Sequence, residues 1–72
     1  MPFINIYLDT DPKQIWERYE VKDSTDAVAE SERISKNGYK TSFAGTLIII
    51  PVHRIHRIEV EGVDNEGRNV GN

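Results

Sequence analysis

The stretch that decides the fold covers residues 45–62 and reads GTLIIIPVHRIHRIEVEG. Its uncharged apolar run, residues 47–50, is typical of a strand covered by protein on both faces. Pro51 lacks the backbone N–H that a sheet ladder needs, so this strand is expected to end or to reach a sheet edge there. The apolar spacing after Pro51 predicts one helical turn over 52–55 and a last strand around 58–60.

Working outward, two more segments alternate apolar and polar side chains in the manner of strands, residues 3–8 and 39–43. Residues 13–22 fit either a strand or a helix. Their alternation favours a strand over 17–22, preceded by a turn of helix.

The helix signal lies over residues 24–37. Asp23 or Ser24 supplies an N-terminal cap, and Asn37 followed by Gly38 supplies a left-handed stop. The helix is expected to pack one small face onto a sheet, because its buried stripe is thin and consists of Ala27, Val28, Ser31 and Ile34. The sequence therefore predicts an α+β fold, with one helix packed on an antiparallel sheet of four to five strands.

Length and composition limit the organisation of the chain. Its 72 residues suffice for one domain, which we expect over 1–62, with 63–72 as a loose C-terminal tail or hairpin arm. The chain contains no cysteine, so it has neither disulfides nor thiolate metal ligands. Small domains without such links often gain stability by self-association, and a homo-oligomer is expected. With no signal peptide or membrane-length apolar run, we expect a soluble, cytoplasmic protein without membrane contact.

Charge is distributed in blocks along the chain. Residues 1–32 carry eight acidic and three basic side chains, a net charge of −5, whereas residues 33–58 carry five basic and no acidic ones. Residues 59–72 return to a net charge of −3. This asymmetry fits a surface that binds an anion, complementary faces that meet in an oligomer, or ordinary solvated charges.

The candidate ligand-binding residues are His53, Arg54, His56 and Arg57, with Lys40 nearby. Arginine binds phosphate through two parallel hydrogen bonds, and histidine changes its charge near neutral pH. The alternative is that both arginines are solvated or pair with acidic side chains from the first half of the chain, and that one histidine is a packed, hydrogen-bonded side chain. Two imidazoles three residues apart do not make a metal site, so neither a metal nor a cofactor is expected.

Residues 50–55, IPVHRI, resemble the Ile-Pro-x-His-Arg-Ile segment of the RNA cyclic-group-end recognition domain family. The resemblance covers residues 46–61 and carries over two polar positions, His53 and Arg54. It implies recognition of RNA termini.

The start of the chain, MPFINI, together with TDAVAES at residues 25–31, resembles the 4-oxalocrotonate tautomerase family. That resemblance implies that Pro2, once Met1 is removed, acts as an N-terminal general base.

These observations lead to three functional hypotheses. The first is a small non-enzymatic binding protein that engages a phosphorylated ligand, either a nucleotide or an RNA end, through the His/Arg-rich turn. The second is a protein-protein interaction module or inhibitor, such as a phage or mobile-element accessory protein. It would dock through its acidic N-terminal half or through the edge strand near Pro51. The third is a tautomerase that uses Pro2.

Overall fold

The computed structural model describes residues 1–63 and contains one helix and five strands. The elements in chain order are β1 (Phe3–Leu8), β2 (Glu17–Glu20), α1 (Ser24–Asn37), β3 (Tyr39–Phe43), β4 (Thr46–Ile50), a 3₁₀ turn (Val52–Arg54) and β5 (Ile55–Glu61). The α+β prediction is confirmed. The tail predicted over 63–72 lies, apart from Val63, outside the described residues.

Three strands form an antiparallel sheet in the order β2-β1-β5. Strand β1 is central, with Ile4 opposite Tyr19 of β2 and Ile6 opposite Ile58 of β5. No residue of β1 is charged, as expected of a strand whose two edges are both paired. The β1–β5 pairing shifts register after Tyr7, which is typical of a β-bulge.

Helix α1 covers one face of this sheet. Its N-terminus is capped by Asp23, whose carboxylate accepts a hydrogen bond of 2.9 Å from the backbone N–H of Asp26. Ile34 is fully buried and packs with Ile4 and Ile6 of β1, so these isoleucines form the centre of the core. Val28, predicted to lie in the buried stripe, is 43% exposed because the contacting face is narrower than that stripe.

Strands β3 and β4 form a separate two-stranded sheet, so the five strands are divided between two sheets. Ala44 and Gly45 connect them with φ angles of 52° and 81°, the backbone of a two-residue type I′ turn. Only the base of this hairpin joins the core, where the Tyr39 ring stacks on Tyr19 at a centroid distance of 5.8 Å.

Candidate functional site

Arg54, predicted to bind the ligand, lies at the end of the 3₁₀ turn and pairs with an acidic residue. Its Nε donates a 3.2 Å hydrogen bond to Oδ1 of Asp9, and its carbonyl accepts the backbone N–H of Asp9 at 3.0 Å. These bonds join the chain after β1 to the turn before β5. The charge of Arg54 is therefore balanced within the molecule.

Arg57 belongs to a stack on the sheet face opposite α1. Its guanidinium lies 4.0 Å from the centroid of the Tyr7 ring, and its Nε donates to Glu59 at 2.9 Å. The Tyr7 hydroxyl donates to the other oxygen of Glu59, also at 2.9 Å. The hydrogen bonds from Tyr7 and Arg57 lower the pKa of Glu59 below its usual value.

A second stack of the same kind lies beside it. Arg18 sits 4.2 Å from the centroid of the Phe3 ring and pairs with Glu61, whose pKa this hydrogen bond lowers. Asn5, only 3% exposed, lies between the stacks and accepts from Arg18 at 3.2 Å. The two stacks cover the face of the sheet that α1 leaves exposed. Arg57 therefore has a structural role in this fold, as the cation that covers the Tyr7 ring.

The two histidines lie in different places. His56 lines a groove of about 330 Å³ between α1 and β5, together with Arg57 and the serines Ser31 and Ser35. His53 is exposed in the 3₁₀ turn and does not line this groove. Within residues 1–63, no three His, Cys, Asp or Glu side chains are grouped so as to hold a metal ion.

Lys40 lines a different groove, of about 420 Å³, at the junction of α1 and β3. Arg33 lines the same groove and donates a 2.6 Å hydrogen bond to Glu30, lowering the pKa of that carboxyl group. The Tyr19 hydroxyl donates a 3.0 Å hydrogen bond to Glu30. The pKa of Tyr19 is raised mainly because its side chain is partly buried, and also because of this hydrogen bond. Of the five predicted site residues, His56 and Arg57 thus line one groove, Lys40 lines another with Arg33, and His53 and Arg54 lie in the 3₁₀ turn.

The hairpin displays large apolar side chains to solvent. Leu47 is 62% exposed and Ile49 is 58% exposed on one face, and Phe43 at the tip is 75% exposed on the other. The expectation that residues 47–50 are covered on both faces is therefore wrong. Its physical reason is that β3 and β4 form their own sheet, and nothing in residues 1–63 covers the face that carries Leu47 and Ile49.

The outer edge of β4 is open as well. Phe43 lies opposite Thr46, so the hydrogen-bonded pairs of this two-residue hairpin alternate along the strands. The backbone N–H and C=O groups of Leu47 and Ile49 consequently point away from β3. Within the described part of the chain, β3 is the only strand paired with β4. β4 carries no charge, bulge or proline of the kind that usually protects such an edge.

Pro2, the predicted general base, is buried at the start of β1. Its carbonyl accepts the backbone N–H of Val21 at 3.0 Å. Gly62 packs against these first two residues. Pro2 thus fixes the start of the central strand β1 to Val21, the residue that follows β2.

Comparisons with protein-family models, curated proteins and solved structures found no match for this chain. Both family resemblances therefore stay predictions. The one helix within residues 1–63 is neither long enough nor apolar enough to cross a membrane.

Proposed function

We propose that this chain is a non-enzymatic protein-interaction module that binds a partner by adding the partner's extended strand to the open edge of β4. The observation that carries the proposal is an uncharged, apolar strand with one unpaired edge. Proteins commonly bind extended segments in this way, with main-chain hydrogen bonds giving affinity and alternate side chains giving specificity.

The composition of β4 supports this function. Among the described strands only β1 and β4 lack charged residues, and β1 is central, with both edges paired. Strand β4 therefore has the composition of a central strand but the position of an edge strand. Adding a strand would satisfy the outward backbone groups of Leu47 and Ile49 and place partner side chains beside their exposed side chains.

The test uses a lysine-flanked Val-Thr repeat peptide as a generic extended strand, followed by the amide NMR signals of the protein. We expect the signals of Leu47 and Ile49 to shift on binding. The variant Ile49→Pro removes an N–H that points outward, so the hairpin is retained while binding weakens about tenfold or more, through the lost hydrogen bond and the bulk of the proline ring.

Ser42→Pro is the matched control, because it removes an outward N–H from the opposite edge of the same hairpin. Its circular dichroism spectrum and its peptide affinity are expected to match those of the unaltered protein. Equal weakening by both proline variants, or peptide-induced shifts confined to other surfaces, would contradict the proposal.

A phosphorylated ligand, either a nucleotide or an RNA end, is the second candidate. The observation in its favour is that Lys40 lines a groove beside two tyrosine rings, which suits an anionic group. Arg33 lines the same groove but pairs with Glu30, so the attraction for an anion rests on Lys40. Calorimetry with nucleotides and short RNAs tests it, and Lys40→Ala is expected to abolish the binding heat. Binding unchanged in Lys40→Ala but lost in Arg54→Ala would move the site to the 3₁₀ turn, and no heat with any ligand would remove this candidate.

A further inference from the structure

The open edge of β4 is suited to pair with the same edge of a second copy of the chain. Both strands of such a pair would be uncharged over their whole length, and each would present the outward backbone groups of Leu47 and Ile49 to the other. A twofold axis pairs the same surface on both subunits, which is the commonest geometry of homodimers.

We propose that the strand added at β4 is β4 of a second copy, so that two hairpins form one antiparallel sheet in the order β3-β4-β4′-β3′. This inference rests on the proposed function, since it names the partner that uses the same edge. In the assembled sheet β4 becomes a central strand, the position that its composition fits.

The backbone fixes one register above the others. Pairing Leu47 with Ile49 of the second copy forms two hydrogen-bonded pairs, related by the twofold axis, and places Ile48 opposite itself. Pairing Ile49 with itself would set Leu47 against Pro51, which has no N–H to donate. Pairing Leu47 with itself would set Ile49 against Gly45 in the turn. The first register alone keeps every pair within the strand Thr46–Ile50.

The charge on the hairpin favours the β4 edge over the β3 edge. Lys40 lies on β3, opposite Ile49, and is exposed. In the proposed sheet the two copies of β3 are the outermost strands, three strand spacings or about 14 Å apart, which exceeds the screening length of physiological salt. Pairing through β3 would instead bring the two lysines onto adjacent strands, where like charges oppose association.

Cysteine cross-linking tests the register, because the chain has no cysteine of its own. Ile48→Cys is expected to form a disulfide-linked dimer on mild oxidation, since residues opposite each other at a non-hydrogen-bonded position lie within disulfide reach. Leu47→Cys and Ile49→Cys, both at exposed positions, are each expected to form no disulfide cross-link alone and to cross-link when mixed. Thr41→Cys on β3 is the control and is expected to form no cross-link.

Each outcome decides the inference. Cross-linking by Ile48→Cys and by the mixed pair, at a rate at least tenfold above that of Thr41→Cys, supports it. Equal cross-linking of all four variants reflects random collision and overturns it, as does the absence of a cross-link in every case. If no cross-link forms but the Leu47 and Ile49 amides still respond to the Val-Thr peptide, the second copy is overturned and the proposed function stands. If there is neither a cross-link nor a response to the peptide, both proposals fail.

Discussion

Replacing Gly38 with alanine is expected to lower the free energy of unfolding by roughly 2–6 kcal/mol, the largest loss from a single added methyl group in this fold. Gly38 ends α1 with φ 86° and ψ −177°, a backbone region that is almost exclusive to glycine. A Cβ atom there would lie 2.5 Å from the carbonyl oxygen of Ile50 and 3.3 Å from the nitrogen of Val52. Both contacts are with backbone, which cannot turn aside as a side chain can. Urea denaturation followed by circular dichroism measures the loss.

Gly45→Ala provides the matched control. Gly45 also has a positive φ, 81°, but a Cβ atom added to it would meet no other atom within 4 Å. Only the conformational cost remains, and we expect a loss of about 1 kcal/mol. If the two alanine variants lose the same stability, then Gly38 at the end of α1 does not lie as close to the Ile50 carbonyl as these distances indicate.

Replacing Ile34 with alanine is expected to cost about 2–5 kcal/mol, because the side chain is fully buried and its removal leaves a cavity. A domain of this size has a total stability of only about 3–10 kcal/mol, so the variant should be close to unfolding at room temperature. The midpoint of urea denaturation is the measurement.

Val28→Ala, on the same helix but 43% exposed, controls for helix propensity. It is expected to cost less than about 1 kcal/mol, since little apolar surface leaves the core. Similar midpoints for the Ile34 and Val28 variants would mean that α1 does not pack on β1 through Ile34.

Much of the fold could be predicted because its signals are local. The helix begins after Asp23 and ends before Gly38, as predicted, because capping depends on residues within one turn. The helical turn predicted over 52–55 is present over Val52–Arg54, and Ile55 already begins β5. Residues 13–22 remained ambiguous in sequence because alternation and helical spacing coexist there. Pairing with β1 resolves them into a strand at Glu17–Glu20, and turns rather than helix precede it.

The environment of β4 could not be predicted from its own residues. An apolar run indicates only that a strand is suited to burial. Whether other elements pack on its faces depends on which strands pair with it. One signal was present in the neighbouring strand. A two-residue turn at Ala44-Gly45 sets Ser42 opposite Leu47 and Lys40 opposite Ile49, and two polar residues on one face indicate exposure of that face.

Whether the predicted ligand-binding residues come together likewise depends on tertiary structure. Four of the five residues are close in sequence, yet only His56 and Arg57 line a common groove, whereas His53 and Arg54 lie in the 3₁₀ turn. Arg57 stacks on Tyr7 and Arg54 pairs with Asp9, both partners from the first nine residues of the chain. The alternative expectation, that the arginines pair with the acidic first half, describes Arg54 correctly, whereas the carboxylate partner of Arg57 is Glu59, beyond that half. The sequence alone could not choose among these arrangements, because pairing between distant segments selects them.

The most direct test of the central claim, that the β4 edge receives a strand, is amide hydrogen exchange on the pure protein at several concentrations. Ile48 and Ile50 are internal references, because their N–H groups are bonded to β3 in the hairpin. We predict that the amides of Leu47 and Ile49 exchange as slowly as these references at high concentration and faster on dilution. Rapid exchange of Leu47 and Ile49 at every concentration, unchanged by excess Val-Thr peptide, would contradict the account.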